Sequence, residues 1–404
     1  MLTVKEAFNV IINETRQLGE EITTLENATG RVLAENITTD IDMPPFDRSM
    51  MDGYAVRSVD VHSTPTELKI VGFIPAGEFP QFSIKRGEAA KIMTGAPMPA
   101  GADSVREVEL TRRSDTTSTV QILEPTQAGQ HIVFKGTEMQ KGSRVLAKGT
   151  FINPSVVGVL ATAGKPRIAV FRTPKVSILS TGDELVAPSE KPGMGQIRNS
   201  NSYTLHALCQ NLGVESQMLG VAKDERDTIK QKIEAGLSSD VLLISGGVSM
   251  GDLDFVTDVF NDLKLEVYFE KVAIKPGKPT VFAKHQNGLV FGLPGNPVSS
   301  STVFEVFVRP AIRKMMGFSN FRHKLILAEI TESFVNKSQR EVYHPAITFY
   351  KNGQYFTRPL MTKGSGDITG FSAHNSFLIC PRENIKLSKG SQCEVQLCSF
   401  YDLI

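Results

Sequence analysis

The sequence predicts a multidomain protein that combines an α/β domain, with a mostly parallel sheet, and separate β domains. Three observations support this fold class. The length of 404 residues corresponds to about two to four domains. Strand-like and helix-like segments alternate from about residue 171 to 318. Short β-like runs separated by turn residues lie on both sides of that region, as is typical of all-β modules.

Composition excludes several classes of protein. The 44 Lys and Arg residues nearly balance the 43 Asp and Glu residues, which argues against a nucleic acid or an anionic membrane as a global partner. The four cysteines form no CxxC pair and the seven histidines no HExxH motif, so we expect neither a disulfide scaffold nor a zinc ribbon. No apolar run is typical of a signal peptide or a membrane span. We therefore expect a cytoplasmic protein with reduced thiols.

The first predicted element is an amphipathic helix. Thr3 and Glu6 form a capping-box pattern. Apolar residues then recur at helical spacing from Val4 to Leu18, and Gly19 ends the run. We expect a structural or dimer-contact helix with no catalytic role.

Between about residues 40 and 170, frequent turn residues separate short β-like runs, which predicts an all-β module.

The central region alternates strands and helices. The predicted elements are a strand at 176–180, a helix at 202–212, a strand at 214–221, a helix at 224–237, a strand at 241–245, a helix at 254–263, a strand at 265–274, a hairpin of 280–285 and 289–293 across Asn287-Gly288, and a long helix at 297–316. Repeated βα units predict a sheet with helices on both faces. After residue 318 the short β runs predict a small C-terminal β-barrel or sandwich.

Unusual residues follow four of the predicted strands, at 180–185, 245–254, 275–279 and 292–299. Open α/β sheets bind ligands where strands end and helices begin. The second and fourth segments are rich in glycine, which lets a ligand approach backbone N–H groups at a helix N-terminus. Neither is a P-loop, because Asp252 follows Gly251 where that motif requires Lys. Tight-turn geometry explains the glycine pairs equally well.

Lysines near the third segment predict a site for an oxyanion or a phosphate. Lys271 lies four residues before Lys275, so both would face one side of the predicted strand. Lys278 follows after two more residues. Three cations close to acidic strand ends would attract an oxyanion, although a solvated basic loop is the alternative.

Three acidic residues also require a choice between roles. Asp224 stands where the N-cap of the 224–237 helix is expected, and capping alone would explain it. Glu184 has no such simple role in its strand-end loop. Together with Asp254 it could hold Mg²⁺ or orient a leaving group. Each of the three acids could instead be structural.

Six segments together resemble one family, the molybdenum insertases of the MoeA type, which also occur as the C-terminal domain of gephyrin. They read PPFDRSMMDGYAV, MTGAPMPAGAD, STGDEL, SGGVSMGDLD, AIKPGKP and GLPGNPVSS, in this order along nearly the whole chain. Several of these motifs are long and chemically unusual, so a chance match is not a reasonable explanation.

The resemblance implies an elongated homodimer of four-domain subunits. The implied domains are an N-terminal linker and dimerisation domain (1–42 plus 137–170), an inserted β domain (43–136), a three-layer α/β molybdopterin-binding domain (171–318) and a small C-terminal β-barrel (319–404). Active sites in this family form between the α/β domain of one subunit and elements of the other. Asp52 and Thr94 would then lie near the partner's cleft.

The resemblance also implies a reaction. Molybdenum from molybdate enters the dithiolene of adenylyl-molybdopterin, AMP leaves, and molybdenum cofactor forms with the help of Mg²⁺. The implied catalytic residues are Glu184, Asp224, Asp254, Lys271, Lys275 and Asp52, of which Glu184, Asp224 and Asp254 are also the candidate metal ligands. The implied substrate-binding residues are Thr94, Thr181, Gly182, Gly246, Gly247, Ser249, Lys278, Pro294, Gly295, Asn296, Pro297, Arg340 and Ser365. The implied protein partners are a molybdopterin adenylyltransferase and molybdoenzyme maturation proteins.

Two segments depart from the family pattern. Where the family usually has a basic run followed by Gly-Glu-Asp, residues 132–138 read IVFKGTE, with two cations and one acid missing and Glu138 in place of Asp. After Gly101-Ala102-Asp103 the family usually continues with apolar residues, but Arg106 and Glu107 stand here. The second change predicts a rearranged strand or an exposed edge.

Two other functions stay open at this point. A non-catalytic homologue could act as a scaffold that binds a partner protein, and a related α/β enzyme could hydrolyse a nucleotide. The 43–56 segment and the C-terminal β region argue against the hydrolase. Tungstate and molybdate are too similar for the sequence to separate.

Overall fold

The computed structural model describes residues 1–114, 116–247, 256–286, 288–383 and 386–398. The chain forms two compact units. The larger unit consists of residues 1–22, 30–34 and 169–404, and the smaller unit of residues 23–29 and 35–168. None of the helices in the described ranges is long and apolar enough to cross a membrane.

The helices are α1 (Val4–Glu14), α2 (Pro154–Thr162), α3 (Asn201–Asn211), α4 (Arg226–Gly236), α5 (Val256–Asp262), α6 (Pro297–Val303), α7 (Arg309–Met315) and α8 (Ile368–Phe371). The strands up to residue 171 are β1 (Glu20–Thr24), β2 (Ile37–Thr38), β3 (Arg48–Ser49), β4 (Gly53–Val56), β5 (Thr66–Ile74), β6 (Glu88–Ile92), β7 (Ser104–Glu107), β8 (Thr111–Ser114), β9 (Thr119–Ile122), β10 (Ile132–Val133), β11 (Arg144–Leu146) and β12 (Arg167–Phe171). The later strands are β13 (Val176–Thr181), β14 (Leu185–Val186), β15 (Ile197–Arg198), β16 (Ser216–Ala222), β17 (Val241–Ser245), β18 (Glu266–Lys271), β19 (Ile274–Lys275), β20 (Pro279–His285), β21 (Gly288–Leu293), β22 (Leu325–Ile330), β23 (Phe334–Val335), β24 (Glu341–Lys351), β25 (Gln354–Pro359), β26 (Ser376–Cys380), β27 (Lys386–Leu387) and β28 (Gln392–Leu397).

The capping box predicted for α1 is present. The Glu6 backbone N–H donates to Thr3 Oγ1 at 3.2 Å, and the Thr3 N–H donates to Glu6 Oε2 at 2.8 Å. These two bonds satisfy backbone donors that have no partner within the helix. The helix ends at Glu14, before the predicted end at Leu18. It buries Val4 and Ile11 in the core of the larger unit.

The α/β domain contains the predicted mostly parallel sheet, with strand order β16-β13-β17-β21-β20-β18. The first four strands are parallel neighbours, and β20 and β18 add antiparallel pairs. Successive residues of β13 enter different cores. Ile178 packs with α1, α3 and the 303–316 segment, and Leu179 packs with α4 and α5. Helices therefore cover both faces of the sheet, because strand side chains alternate between the faces.

Two predicted elements of this domain differ in detail. The hairpin forms, but His285 pairs with Gly288, so Gly288 belongs to the strand and not to the turn. The single strand predicted at 265–274 is wrong. β18 ends at Lys271 in the α/β sheet, and β19 pairs with β24 in another sheet. Lys271 and Lys275 therefore do not share one face of one strand.

The C-terminal region forms the predicted small β-barrel. Its strand order is β24-β25-β22-β28-β26, and pairing between β24 and β26 closes the barrel. Closure removes the exposed sheet edges that would otherwise pair with other chains. The buried side chains of Ala328, Val342, Leu378 and Val395 fill its core.

The smaller unit contains a sheet with strand order β7-β4-β6-β5-β9-β8. β4 is buried on both faces, because Tyr54 and Ala55 enter different cores. The edge predicted at Arg106 is present, since β7 is the first strand of the sheet, but the side chain is not exposed. Arg106 is 3% accessible and donates to the Pro125 carbonyl oxygen. Glu107 Oε2 lies 3.4 Å from Arg106 Nη1, so the guanidinium is buried next to a carboxylate.

The long helix predicted at 297–316 is a continuous run of α6, a π-helical turn at Phe304–Val308, and α7. The π-turn holds the buried Glu305 near Arg309 and His323. Arg309 Nη1 donates to His323 Nδ1 at 2.7 Å, and His323 Nε2 donates to the Glu305 carbonyl oxygen. Each ring nitrogen of the neutral imidazole therefore has a hydrogen-bond partner. Burial lowers the pKa of His323 to about 3, and the nearby Arg309 acts in the same direction.

This cluster predicts two opposite pH dependences of stability. His323 stays neutral in the folded protein, so acidification below its ordinary pKa of 6.5 favours the unfolded chain by about 1 kcal/mol per pH unit. Burial raises the pKa of Glu305 to about 7, so this group favours the folded protein on acidification. We expect His323→Gln to reduce the loss of melting temperature between pH 7.5 and pH 5.5, and Glu305→Gln to increase it. Equal pH profiles for wild type and both variants would contradict this account.

Candidate functional site

The carboxyl ends of β13, β17 and β21 meet at one edge of the sheet, beside the starts of α3 and α6, and a cavity of about 560 Å³ lies there. We call it the first cavity. Its lining includes ten of the sequence-predicted site residues: Thr181, Gly182, Glu184, Asp224, Gly246, Gly247, Pro294, Gly295, Asn296 and Pro297. Parallel strands end at a common edge, and this places residues that are far apart in sequence around one cavity.

Glycine is required where the turn after β17 meets the end of β13. The φ angles of Gly246 and Gly247 are +94° and +63°, in the left-handed region that favours glycine. A Cβ atom on Gly246 would lie 2.6 Å from the Thr181 carbonyl oxygen, and one on Gly247 would lie 2.7 Å from Thr181 Oγ1. Both distances are well inside van der Waals contact. Tight packing therefore explains these glycines, and it also brings their backbone to the cavity wall.

The Thr181 hydroxyl is buried and has no hydrogen-bond partner. Thr181 is the last residue of β13 and lines the first cavity. Buried hydroxyls are normally paired with protein or with ordered water. An unpaired hydroxyl at this wall is consistent with a polar partner that arrives with a ligand.

Asn201 is a further candidate that the sequence reasoning missed. Its Nδ2 donates to Ser245 Oγ and to the Gly295 carbonyl oxygen, each at 2.7 Å. It thus ties the end of β17 to the glycine-rich segment after β21, and its Oδ1 is buried without a partner. The signal was the polar run Asn199-Ser200-Asn201, which leads into α3 and is typical of a helix start.

The acidic residues Glu184 and Asp224 both line the first cavity. A Cβ atom on Gly182 would lie 2.4 Å from Glu184 Oε2, so the Glu184 carboxylate folds over Gly182. The prediction of Asp224 as a helix N-cap is wrong, because α4 begins at Arg226 with Glu225 in the N-cap position. The Asp224 N–H donates to Asp183 Oδ1 at 3.2 Å.

The third predicted metal ligand, Asp254, and the predicted substrate residue Ser249 lie outside the described residues. Within the described ranges, there is no group of three or more His, Cys, Asp or Glu side chains that could hold a metal ion. Glu184 and Asp224 provide carboxylate oxygens, which are the ligands that Mg²⁺ prefers. Mg²⁺ is commonly held by one or two carboxylates with substrate phosphates completing its coordination, so these two residues fit that ion.

A second cavity of about 480 Å³ lies between the α/β domain and the barrel, within the larger unit. Its cationic lining residues are Lys275, Lys278, Lys337 and Arg340. Pairing of β19 with β24 holds Lys275 in place, and Arg340 Nη1 donates to the Ile274 carbonyl oxygen at 3.0 Å. Ser365 also lines this cavity. Several cations around a concave surface favour a multiply charged anion.

His344 belongs to the second cavity but does not add to its positive charge. Its Nε2 lies 2.8 Å from the Leu360 carbonyl oxygen, to which only a protonated nitrogen can donate. Burial lowers the pKa of His344, and the nearby charge of Lys275 lowers it further. The imidazole is therefore neutral, and the lysines and Arg340 carry the charge.

Lys271 lines neither cavity. It ends β18 at the edge of the α/β sheet. This placement follows from the division of the predicted 265–274 strand into β18 and β19. Lys275 and Lys278, in contrast, both line the second cavity.

Asp52 and Thr94 belong to the smaller unit and contact each other. Asp52 Oδ1 accepts from the Thr94 backbone N–H at 2.7 Å and from Thr94 Oγ1 at 2.8 Å. These bonds, above all the backbone one, lower the pKa of Asp52. In this pair, which the sequence predicted, Asp52 is therefore ionised and Thr94 holds its carboxylate in a fixed position.

The altered 132–138 segment is anchored to the 42–48 segment within the smaller unit. Arg48 Nη2 donates to Glu138 Oε1 at 3.0 Å, and the Lys135 N–H donates to Asp47 Oδ1 at 2.8 Å. The Glu138 N–H donates to the Met43 carbonyl oxygen at 2.9 Å. The segment is thus ordered by contacts of its own despite the missing basic run.

Comparison with known families covers most of the chain. Residues 2–164 match the MoeA N-terminal region (domain I and II), residues 177–314 match the probable molybdopterin binding domain, and residues 328–398 match the MoeA C-terminal region (domain IV). A molybdopterin molybdenumtransferase of Nostoc sp. is 33% identical and aligns with 96% of this chain and 92% of its own length. The molybdopterin molybdenumtransferase of Bacillus subtilis is also 33% identical, over 98% of this chain and 94% of its own.

A solved structure supports the same assignment. The molybdopterin biosynthesis moeA protein from Pyrococcus horikoshii superposes with a TM-score of 0.84 at 32% identity, covering 98% of this chain and 100% of that chain. The resemblance seen in the sequence motifs is thus confirmed over the full length, and the chain belongs to the MoeA family of molybdopterin molybdenumtransferases.

Proposed function

We propose that this protein inserts molybdenum from molybdate into the dithiolene of adenylyl-molybdopterin, releasing AMP and forming molybdenum cofactor. The observation that carries this proposal is a pair of adjoining cavities of different charge. They share Pro279, Pro294 and Asn296 in their linings. The first has carboxylates, hydroxyls, glycine-rich turns and Arg198, and the described lining of the second has three lysines and an arginine but no carboxylate.

The first cavity suits the pterin nucleotide. It lies at the strand ends where open α/β sheets bind nucleotides, and α3 begins in its wall. The positive end of a helix dipole favours a phosphate. Thr181 and Asn201 offer a hydroxyl and an amide oxygen that have no protein partner, so they can bind polar groups of the substrate.

The second cavity suits molybdate. A doubly charged tetrahedral oxyanion requires several donors that converge, and Lys275, Lys278 and Arg340 line this cavity together. Arginine and lysine here bind and orient the oxyanion beside the dithiolene, and they offset the repulsion between two anions. Ser365 provides an additional hydroxyl.

Mg²⁺ would be held by Glu184 and Asp224, with Asp254 as a further candidate, and it would neutralise charge on the phosphate at the bond to AMP. The two described carboxylates line the first cavity on the side of the predicted nucleotide. Their own role is to hold this cation beside the phosphate.

We further propose a homodimer in which the Asp52–Thr94 pair of one subunit reaches the cleft of the other. The fixed, ionised Asp52 supports a functional role, because a carboxylate held by two donors needs no reorganisation when a ligand arrives. In the cytoplasm, such an enzyme would receive its substrate from a molybdopterin adenylyltransferase and pass its product to proteins that mature molybdoenzymes.

The first prediction from this function concerns AMP release. Wild type should release AMP from adenylyl-molybdopterin when molybdate is present, and Glu184→Gln and Lys275→Ala should each reduce this rate by about 10²–10³-fold. Lys275→Ala should also raise the molybdate concentration that gives half the maximal rate. Lys351→Ala, which changes an exposed lysine at the end of β24, is the matched control and should keep the wild-type rate.

Wild-type rates in both site variants would refute the assignment of these two residues. AMP release without molybdate would indicate a simple hydrolase. Absence of release from wild type at any molybdate concentration would favour the scaffold.

The second prediction concerns the composite site of the homodimer. Asp52→Ala and Lys275→Ala should each be inactive alone, but co-expression of the two should restore about a quarter of wild-type activity. Random pairing makes half of the dimers mixed, and each mixed dimer regains one intact site of two. Activity of the mixture equal to the sum of the separate variants would contradict a site shared between subunits.

A further inference from the structure

Asn296 stands in the N-cap position of α6, but its side chain does not cap the helix. Asparagine is favoured at this position because its side-chain oxygen accepts a backbone N–H of the first turn. Here the Val298 N–H donates instead to the Ser365 carbonyl oxygen at 3.1 Å. A neighbouring backbone segment therefore caps the helix, and the carboxamide of Asn296 is available for another partner.

Asn296 is exposed and lines both cavities. Among the residues that the structure describes, Pro279 and Pro294 are the others with this property. Proline side chains form no hydrogen bonds, whereas a carboxamide has two N–H donors and an acceptor oxygen. At the boundary between the cavities, the described polar side chain that can reach ligands on both sides is thus that of Asn296.

We propose that Asn296 couples the two cavities, because its Nδ2 donates one hydrogen to a phosphate oxygen in the first cavity and the other to an oxyanion oxygen in the second. This inference rests on the proposed function for the identity of the two ligands. Two neighbouring anions repel each other, and a shared donor between them offsets part of this repulsion. Binding of one ligand then depends on the other, and Asn296 sets how strongly.

Because Asn296 makes no capping bond, a substitution at this position can test the proposal without destabilising α6. Replacing a capping asparagine by alanine commonly destabilises a protein by about 1 kcal/mol, but Asn296 makes no such bond. Asn296→Ala should therefore keep the wild-type melting temperature while it loses the shared donor. Asn296→Ser is a second variant, because a single hydroxyl hydrogen can serve one ligand but not two.

The experiment is calorimetric titration of molybdate into the full chain, with and without saturating AMP. The coupling factor is the molybdate dissociation constant without AMP divided by that with AMP, and thermodynamic linkage requires the same factor when AMP is titrated with and without molybdate. We expect both variants to lower this factor by roughly fivefold or more relative to wild type, in the range usual for coupled sites.

Two matched controls separate coupling from simple loss of affinity. Ser200→Ala changes a residue that lines the first cavity alone, and Thr362→Val changes one that lines the second alone. Each can change one affinity, but neither should change the coupling factor by more than about twofold.

A wild-type coupling factor in Asn296→Ala and Asn296→Ser, with both ligands bound, would overturn this inference and leave the proposed function intact. Failure of the wild type to bind either AMP or molybdate would overturn the proposed function and the inference with it. A change in the factor that the two controls share with the Asn296 variants would also overturn it, because the effect would then not belong to the shared donor.

Discussion

The close approach of the turn after β17 to the end of β13 is the contact on which the site depends. No side chain beyond hydrogen fits at Gly246 or Gly247, because Thr181 fills that space. This contact, together with the Asn201 bonds to Ser245 and Gly295, holds three strand ends in one wall. Backbone pairing already fixes β17 beside β21, up to the Gly246 N–H that donates to the Leu293 carbonyl oxygen at 3.1 Å, so the contact with Thr181 adds the position of the turn after β17 against the end of β13.

The second constraint is electrostatic. Glu184 and Asp224 line the first cavity together with Arg198, whereas three lysines and Arg340 line the second, so each anionic portion of the reaction meets a different environment. An adenylylated pterin and molybdate are both anions, and they must come close to react. Separate cavities keep the two anions apart, and their common boundary at Asn296, Pro279 and Pro294 keeps them close enough to react. The lysines and Arg340 offset the negative charge of the oxyanion.

Much of the fold and of the candidate site could be predicted from the sequence, because many of their elements depend on local sequence patterns. The capping box of α1, the alternation of strands and helices, and the strand-end positions of the 180–185 and 292–299 segments are local, and the structure confirms them. The division of β18 from β19 could not be predicted, because Val272 and Ala273 continue the apolar pattern while pairing with β24 is a long-range event. Arg106 also shows this limit, since its burial depends on the distant Pro125 carbonyl. The position of Asn201 depends on long-range contacts as well. The four domain boundaries and the catalytic role of Lys271 stay predictions.

The most direct test of the central claim is to locate molybdenum itself. Crystals of the protein grown with AMP and molybdate would give an anomalous scattering peak at the molybdenum absorption edge. The account predicts that this peak lies in the second cavity, in contact with Lys275, Lys278 and Arg340, while AMP occupies the first cavity beside Glu184. A molybdenum peak in the first cavity, or AMP among the lysines of the second, would contradict the division of roles between the two cavities.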